Sequence, residues 1–149
     1  MSTCFVTTIT KEAFSEGQVS RGNTIMSTKK AKVFKRNGYI FGFAGCLGHC
    51  DETKKQISSI KSIKDVDLSS IETTEPWEFF ISDGNKIYCA YSGDKTLEKI
   101  DEKYYAIGSG SDFAISAYEF GMSPRECIKY AITKDINSSG KITGVRLDG

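Results

Sequence analysis

Apolar and polar positions along this chain fall into β-type blocks first, one helical block in the middle, and a pair of helical blocks towards the end. Ser2 to Ile9 is dense in Thr, Val, Phe and Ile, a strand composition that starts almost at the N-terminus, where a free end ordinarily frays and so needs pinning. A second strand is expected before Gly17. From Lys32 to Ala44 two strands flank Asn37-Gly38, a dipeptide that supplies the positive φ angles of a tight hairpin. Leu47 to about Val66 turns helical, with Ile57, Ile60 and Ile63 on roughly one face, and Ser69 to Glu75 reads as loop. Glu78 to Ser82 and Lys86 to Tyr91 form another hairpin around Asp83-Gly84, and Tyr104 to Ile107 is a short strand running into Gly108-Ser109-Gly110-Ser111.

Two helices follow. The first runs from Asp112 to about Phe120, with Phe113, Ala117 and Phe120 at helical spacing. The second runs from Pro124 to Lys134: Ser123 caps it, Pro124 suits its first turn, and Glu126 three residues after the cap completes a capping box. After the turn-forming Asn137-Ser-Ser-Gly, Lys141 to Leu147 alternates as a last strand. Strands, helix, strands, two adjacent helices and a strand suit an α+β fold of two packed sheets covered by helices, not an alternating parallel arrangement. No internal repeat or low-complexity linker interrupts it.

With 149 residues, 39% of them apolar, residues 1–149 are expected to form a single domain with a sizeable core. Twenty basic and nineteen acidic residues leave a formal charge of +1, so no overall field draws the chain to nucleic acid or an anionic membrane. The local cluster Lys29, Lys30, Lys32, Lys35, Arg36 reads as a solvated strand pair. No apolar run reaches membrane-spanning length, and Met1 to Thr10 lacks the layout of a secretory signal, so a cytoplasmic protein is expected. Five irregularly spaced cysteines argue for reduced thiols used as small core residues. Cys46, His49 and Cys50 offer three zinc ligands in five residues, one short of a structural site, and no metal or organic cofactor is expected. Ser109 within Gly-Ser-Gly-Ser reads as a turn before a helix or as a phosphate cradle, the latter without a Walker lysine to follow.

The stretch Gly17-Gln-Val-Ser-Arg-Gly-Asn-Thr-Ile-Met resembles the proteasome β subunits, and especially the bacterial HslV-type peptidase. The similarity continues into Lys32-Val33 and resumes at Gly42-Phe-Ala-Gly, Ile81-Ser-Asp-Gly-Asn, Ala106-Ile-Gly-Ser-Gly-Ser and Asp135 to Gly140, in the family's order. It implies a four-layer αββα sandwich, the N-terminal nucleophile hydrolase fold, with the mature N-terminus at the active site. In such enzymes the first side chain is the nucleophile and its own α-amino group accepts the proton.

Carried over by position, the resemblance implies that loss of Met1 exposes Ser2 as nucleophile, and that Lys32 places positive charge beside it. Glu16 pairs with that lysine, Gly45 gives its N–H to the oxyanion, and Ser109, Asp135 and Ser138 orient the amine. It further implies a peptide or unfolded protein as substrate, a homo-oligomer, and an ATP-dependent unfoldase as partner. Ser2 stands where the family usually has threonine and Glu16 where it has aspartate, and between Gly48 and Trp77 there is room for about one of the family's two long helices plus a stub. Two function classes follow: a self-compartmentalising peptidase, or a non-catalytic proteasome-like protein that binds a protease, an unfoldase or another protein. The fate of Met1 and the reactivity of Ser2 separate them.

Overall fold

Apolar side chains alternating on both faces of two sets of strands give three separate cores, and three cores require four layers. The structure, a computed structural model, describes residues 2–45, 50–69 and 75–148, without the side chain of Cys50. Strands β1 (Cys4–Thr7), β2 (Glu12–Ser15), β10 (Tyr104–Ile107) and β11 (Thr143–Arg146) form an antiparallel sheet in the order β10-β1-β2-β11. A second antiparallel sheet runs β5 (Val33–Arg36), β6 (Tyr39–Gly45), β7 (Trp77–Ser82), β8 (Ile87–Tyr91), β9 (Glu98–Ile100) in chain order. A separate ribbon pairs β3 (Val19–Arg21) with β4 (Thr24–Ser27).

The middle core lies between the sheets and holds Cys4, Val6, Val33, Ile40, Ala44, Phe80, Ile87 and Ile107. Phe5 and Ala106, pointing the other way from the first sheet, pack under helices α2 (Ser111–Glu119) and α3 (Pro124–Lys134) with Ala114, Ala117, Cys127 and Ile128. Phe41, Phe43, Trp77, Phe79 and Ile81 leave the second sheet on its outer face, where α1 (Cys50–Ile57) and the segment after it cover them. The four-layer αββα sandwich is therefore as expected, and Cys4, Cys89 and Cys127 are buried within it.

Four local expectations need correction. The helix expected from Leu47 to Val66 is α1 only as far as Ile57, then a turn, then one 3-10 turn at Ile63–Asp65 capped by Ser62. The apolar face survives the break, because Ile57, Ile60 and Ile63 all meet the outer core. The Asn37 amide, on the neighbouring hairpin, donates to the Ile57 and Ile60 carbonyls at 3.1 and 2.7 Å and so satisfies the helix end. Asn37→Ala should cost about 2–3 kcal/mol in urea denaturation, partly by leaving those carbonyls to water and partly by placing alanine at φ +54°.

In α2 the buried positions are Ala114 and Ala117, whereas Phe113 and Phe120 are exposed, so the aromatic spacing marks the outer face. Strands β3, β4 and β9 were not legible, since the ribbon has no apolar alternation and leaves Ile25 and Met26 exposed. In the basic run Lys29, Lys30, Lys35 and Arg36 are solvated as expected, but Lys32 is fully buried.

Candidate active site

Burying a lysine is costly unless its ammonium finds acceptors, and Lys32 finds three. It immediately precedes β5, where its side chain turns inward and donates to the Ser2 hydroxyl, to Glu16 Oε1 at 2.6 Å and to the Gln18 carbonyl. An ammonium has three N–H donors, and these three acceptors match them one for one.

Glu16 ends its chain segment just after β2 and is also fully buried. Besides Lys32, its Oε1 accepts the Thr3 N–H at 3.2 Å, and its Oε2 accepts the N–H groups of Gln18 at 2.9 Å and Ser139 at 3.1 Å. Four donors on one carboxylate compensate its desolvation and fix three chain segments around it.

A second cluster forms where α3 ends. Asp135 is buried, and its Oδ2 accepts the hydroxyls of Ser109 and Ser138, each at 2.6 Å, while its Oδ1 accepts the Asn137 N–H at 3.1 Å. Burial pushes its carboxyl up, but the Ser109 and Ser138 hydroxyls and the Asn137 N–H outweigh that and hold it below the ordinary range. Ionised Asp135 therefore favours the folded state. Its contribution is complete above the unfolded value of about 3.9 and fades as pH falls through the lower folded value. Asp135→Asn should flatten the acid limb of the wild-type stability curve, read as denaturation midpoints from pH 5 downwards.

Thr3 joins the clusters, giving its N–H to Glu16 and sharing a 2.7 Å hydroxyl bond with Ser138. Ser2 is buried at the head of β1, its carbonyl accepting the Gly110 N–H at 3.2 Å. The structure thus groups Ser2 with Glu16 and Lys32, groups Ser109 with Asp135 and Ser138, and links the groups through Thr3.

Gly45 stands apart at the end of β6, two residues beyond Phe43, whose N–H donates to the Lys32 carbonyl at 3.0 Å. Its φ is +104°, and a Cβ there would lie 2.8 Å from the Trp77 Cα and closer still to the Pro76 carbonyl, so glycine is needed for the backbone itself. Thr3, Gln18 and Ser139 escaped sequence reasoning, because much of what they contribute is backbone N–H and C=O, which residue type does not advertise.

Cys46 and His49, and with them the three-ligand zinc reading, lie outside the described residues. Among the described residues no group of three or more His, Cys, Asp or Glu is placed to hold a metal ion, and no helix is long and apolar enough to cross a membrane.

No family model matches the sequence. The ATP-dependent protease subunit HslV of Campylobacter lari is 29% identical over 119 residues, covering 68% of this chain and 65% of that subunit. The subunit of the same name from Campylobacter concisus is 30% identical over 119 residues, covering 68% and 66%. The chain thus spans just under two thirds of the curated relatives it matches. Among solved structures, eukaryotic HslV from Trypanosoma brucei matches with a TM-score of 0.75 at 15% identity, covering 99% of both chains. Thiobacillus denitrificans BPH in complex with epoxomicin matches at 0.70 and 14%, covering 99% of this chain and 100% of that one. These structures share the sandwich, the HslV subunits are about 30% identical over the matched part, and the chain belongs to the HslV-like, proteasome β-type family of N-terminal nucleophile peptidases.

Proposed function

We propose that this protein is a peptidase in which Ser2, exposed by removal of Met1, attacks a peptide carbonyl. The supporting observation is the bond from the buried Lys32 ammonium to the Ser2 hydroxyl, with Glu16 holding the ammonium from behind. Charge beside the hydroxyl favours its deprotonated form, and Lys32 in that charged form leaves the proton to another base. The α-amino group of Ser2 suits that role, with an unperturbed pKa of about 7.7 to 8.0.

The reaction is acyl transfer. The hydroxyl proton passes to the amine as oxygen attacks, the Gly45 N–H meets the oxyanion, the leaving amine takes the proton, and water then hydrolyses the Ser2 ester. Ser109, Asp135 and Ser138 orient the amine. No metal or organic cofactor takes part.

The relatives' description as ATP-dependent protease subunits supports an ATP-driven unfoldase as partner and peptides or unfolded proteins as substrates. The whole chain is read as one domain, working in the cytoplasm. Phe120 and Met122, both exposed just beyond the end of α2, support a homo-oligomer, which native mass spectrometry should reveal as a species heavier than the 16.4 kDa chain.

The deciding experiment is intact mass before and after epoxomicin, an epoxyketone that requires both the hydroxyl and the free amine of an N-terminal nucleophile. Loss of Met1 and one adduct per chain are expected, and Ser2→Ala should remove the adduct, at a stability cost of about 1–3 kcal/mol because it takes one acceptor from the buried Lys32. Retained Met1, or a free Ser2 that stays unlabelled, would overturn the peptidase reading.

A further inference from the structure

We propose that Glu78 is a positioning residue that sets the separation between Ser2 and Gly45. Residues of β7 alternate: Trp77, Phe79 and Ile81 face the outer core, and Phe80 the core between the sheets. Glu78 shares the inward parity of Phe80 and is half-buried at the end of the strand, where a carboxylate gains from a partner. Its partner is the Gly108 N–H, which donates to Glu78 Oε2 at 2.7 Å.

Gly108 is where β10 leaves the ladder. Pairing with β1 ends at Cys4 opposite Ile107, and at φ +93° the next residue turns away, which frees its N–H. The turn it begins carries the site. Gly108 packs so closely on Ser2 that a Cβ would come within 2.6 Å of the Ser2 carbonyl carbon, Ser109 binds Asp135, and Gly110 donates to the Ser2 carbonyl. Those contacts stay on the first sheet and its helices, whereas Glu78 joins the turn to the second.

On that second sheet Glu78 lies opposite Ala44, and Trp77 opposite Gly45. A single side chain therefore connects the turn against the nucleophile with the strand pair that carries the proposed oxyanion donor. Nothing in the peptide motifs points to it, since the connection needs a strand and a turn 30 residues apart. The consequence for rate rests on the peptidase reading; the consequence for the turn does not.

The test compares Glu78→Gln, which keeps an acceptor of the same length, with Glu78→Asp, which keeps the charge but retracts it, and Glu78→Ala. Hydrogen exchange of the Tyr105 to Ser111 segment should rise about tenfold in the Asp and Ala variants and stay within about threefold of wild type in Gln. The maximal rate of epoxomicin adduct formation should fall about 10–100-fold in Asp and Ala, with inhibitor binding within about threefold, and be largely retained in Gln. If Glu78→Asp behaves as wild type, or Glu78→Gln falls as far as Ala, the positioning role is overturned. A wild-type protein that forms no adduct would instead defeat the peptidase reading, and the exchange contrast would still decide whether Glu78 holds the turn.

Discussion

Lys32→Met should cut peptidase turnover steeply and destabilise the fold together. Hydrolysis is expected to fall about 10²–10³-fold, the usual loss when one preorganised electrostatic group is removed from a site. The stability cost arises because Glu16 stays behind, fully buried, with three backbone N–H donors but no cation. Breaking such a pair costs about 3–5 kcal/mol, a fall in Tm of roughly 6–20 °C for a domain of this size. Lys32→Arg should lose activity as well, since a planar fork cannot direct three bonds from one atom to the Ser2 hydroxyl, Glu16 and the Gln18 carbonyl. A Lys32→Met protein that hydrolyses peptide at the wild-type rate would remove the charge from the mechanism.

Gly108→Ala should be nearly as damaging through shape alone. Its φ of +93° costs an L-residue about 1–2 kcal/mol, and the new methyl group would be driven into the Ser2 carbonyl, backbone against backbone, where no rotamer gives relief. Ser2 must shift, and a displacement of about 1 Å at a reacting atom costs about 10²-fold in rate. Gly93→Ala is the control. Gly93 has φ +90° but nothing within 4 Å of an added Cβ, so it should show the backbone cost without the loss of rate. Equal losses of rate in the two variants would mean that contact with Ser2 is not what matters.

The elements that sequence pattern located are those whose local chemistry agrees with their place in the fold. Asn37-Gly38 and Asp83-Gly84 close hairpins where expected, and the Ser123-Glu126 box caps α3 with both reciprocal bonds. Where local and tertiary demands diverge, pattern fails. Isoleucines at helical spacing mark the covering layer over the second sheet, but Ser58 and Ser59 follow α1 and the chain turns before Ile63. Phe113 and Phe120 look like a core stripe, yet the fully buried positions of α2 are the small Ala114 and Ala117, with Ile115 and Tyr118 packed beside them.

For the site, composition alone misleads most at Lys32, which sits among solvated lysines; the resemblance singled it out, and the three acceptors around it give the physical reason for its burial. The resemblance also named Glu16, and the longer side chain still meets Lys32 at 2.6 Å. Glu78 carries no such signal, because a glutamate at the start of a strand usually faces water.

The carboxylate of Glu16 takes donors from Thr3 and from Ser139, while Thr3 itself bonds Ser138, a partner 135 positions away. A chain being made from its N-terminus holds Ser2, Glu16 and Lys32 early, but the groups that complete their surroundings come only in the segment after α3. Completion is therefore a late event, dominated by long-range closure and correspondingly slow. Chains made only as far as α3 hold Ser2, Glu16 and Lys32 without the partners at Ser138 and Ser139 that close the surroundings of Thr3 and Glu16.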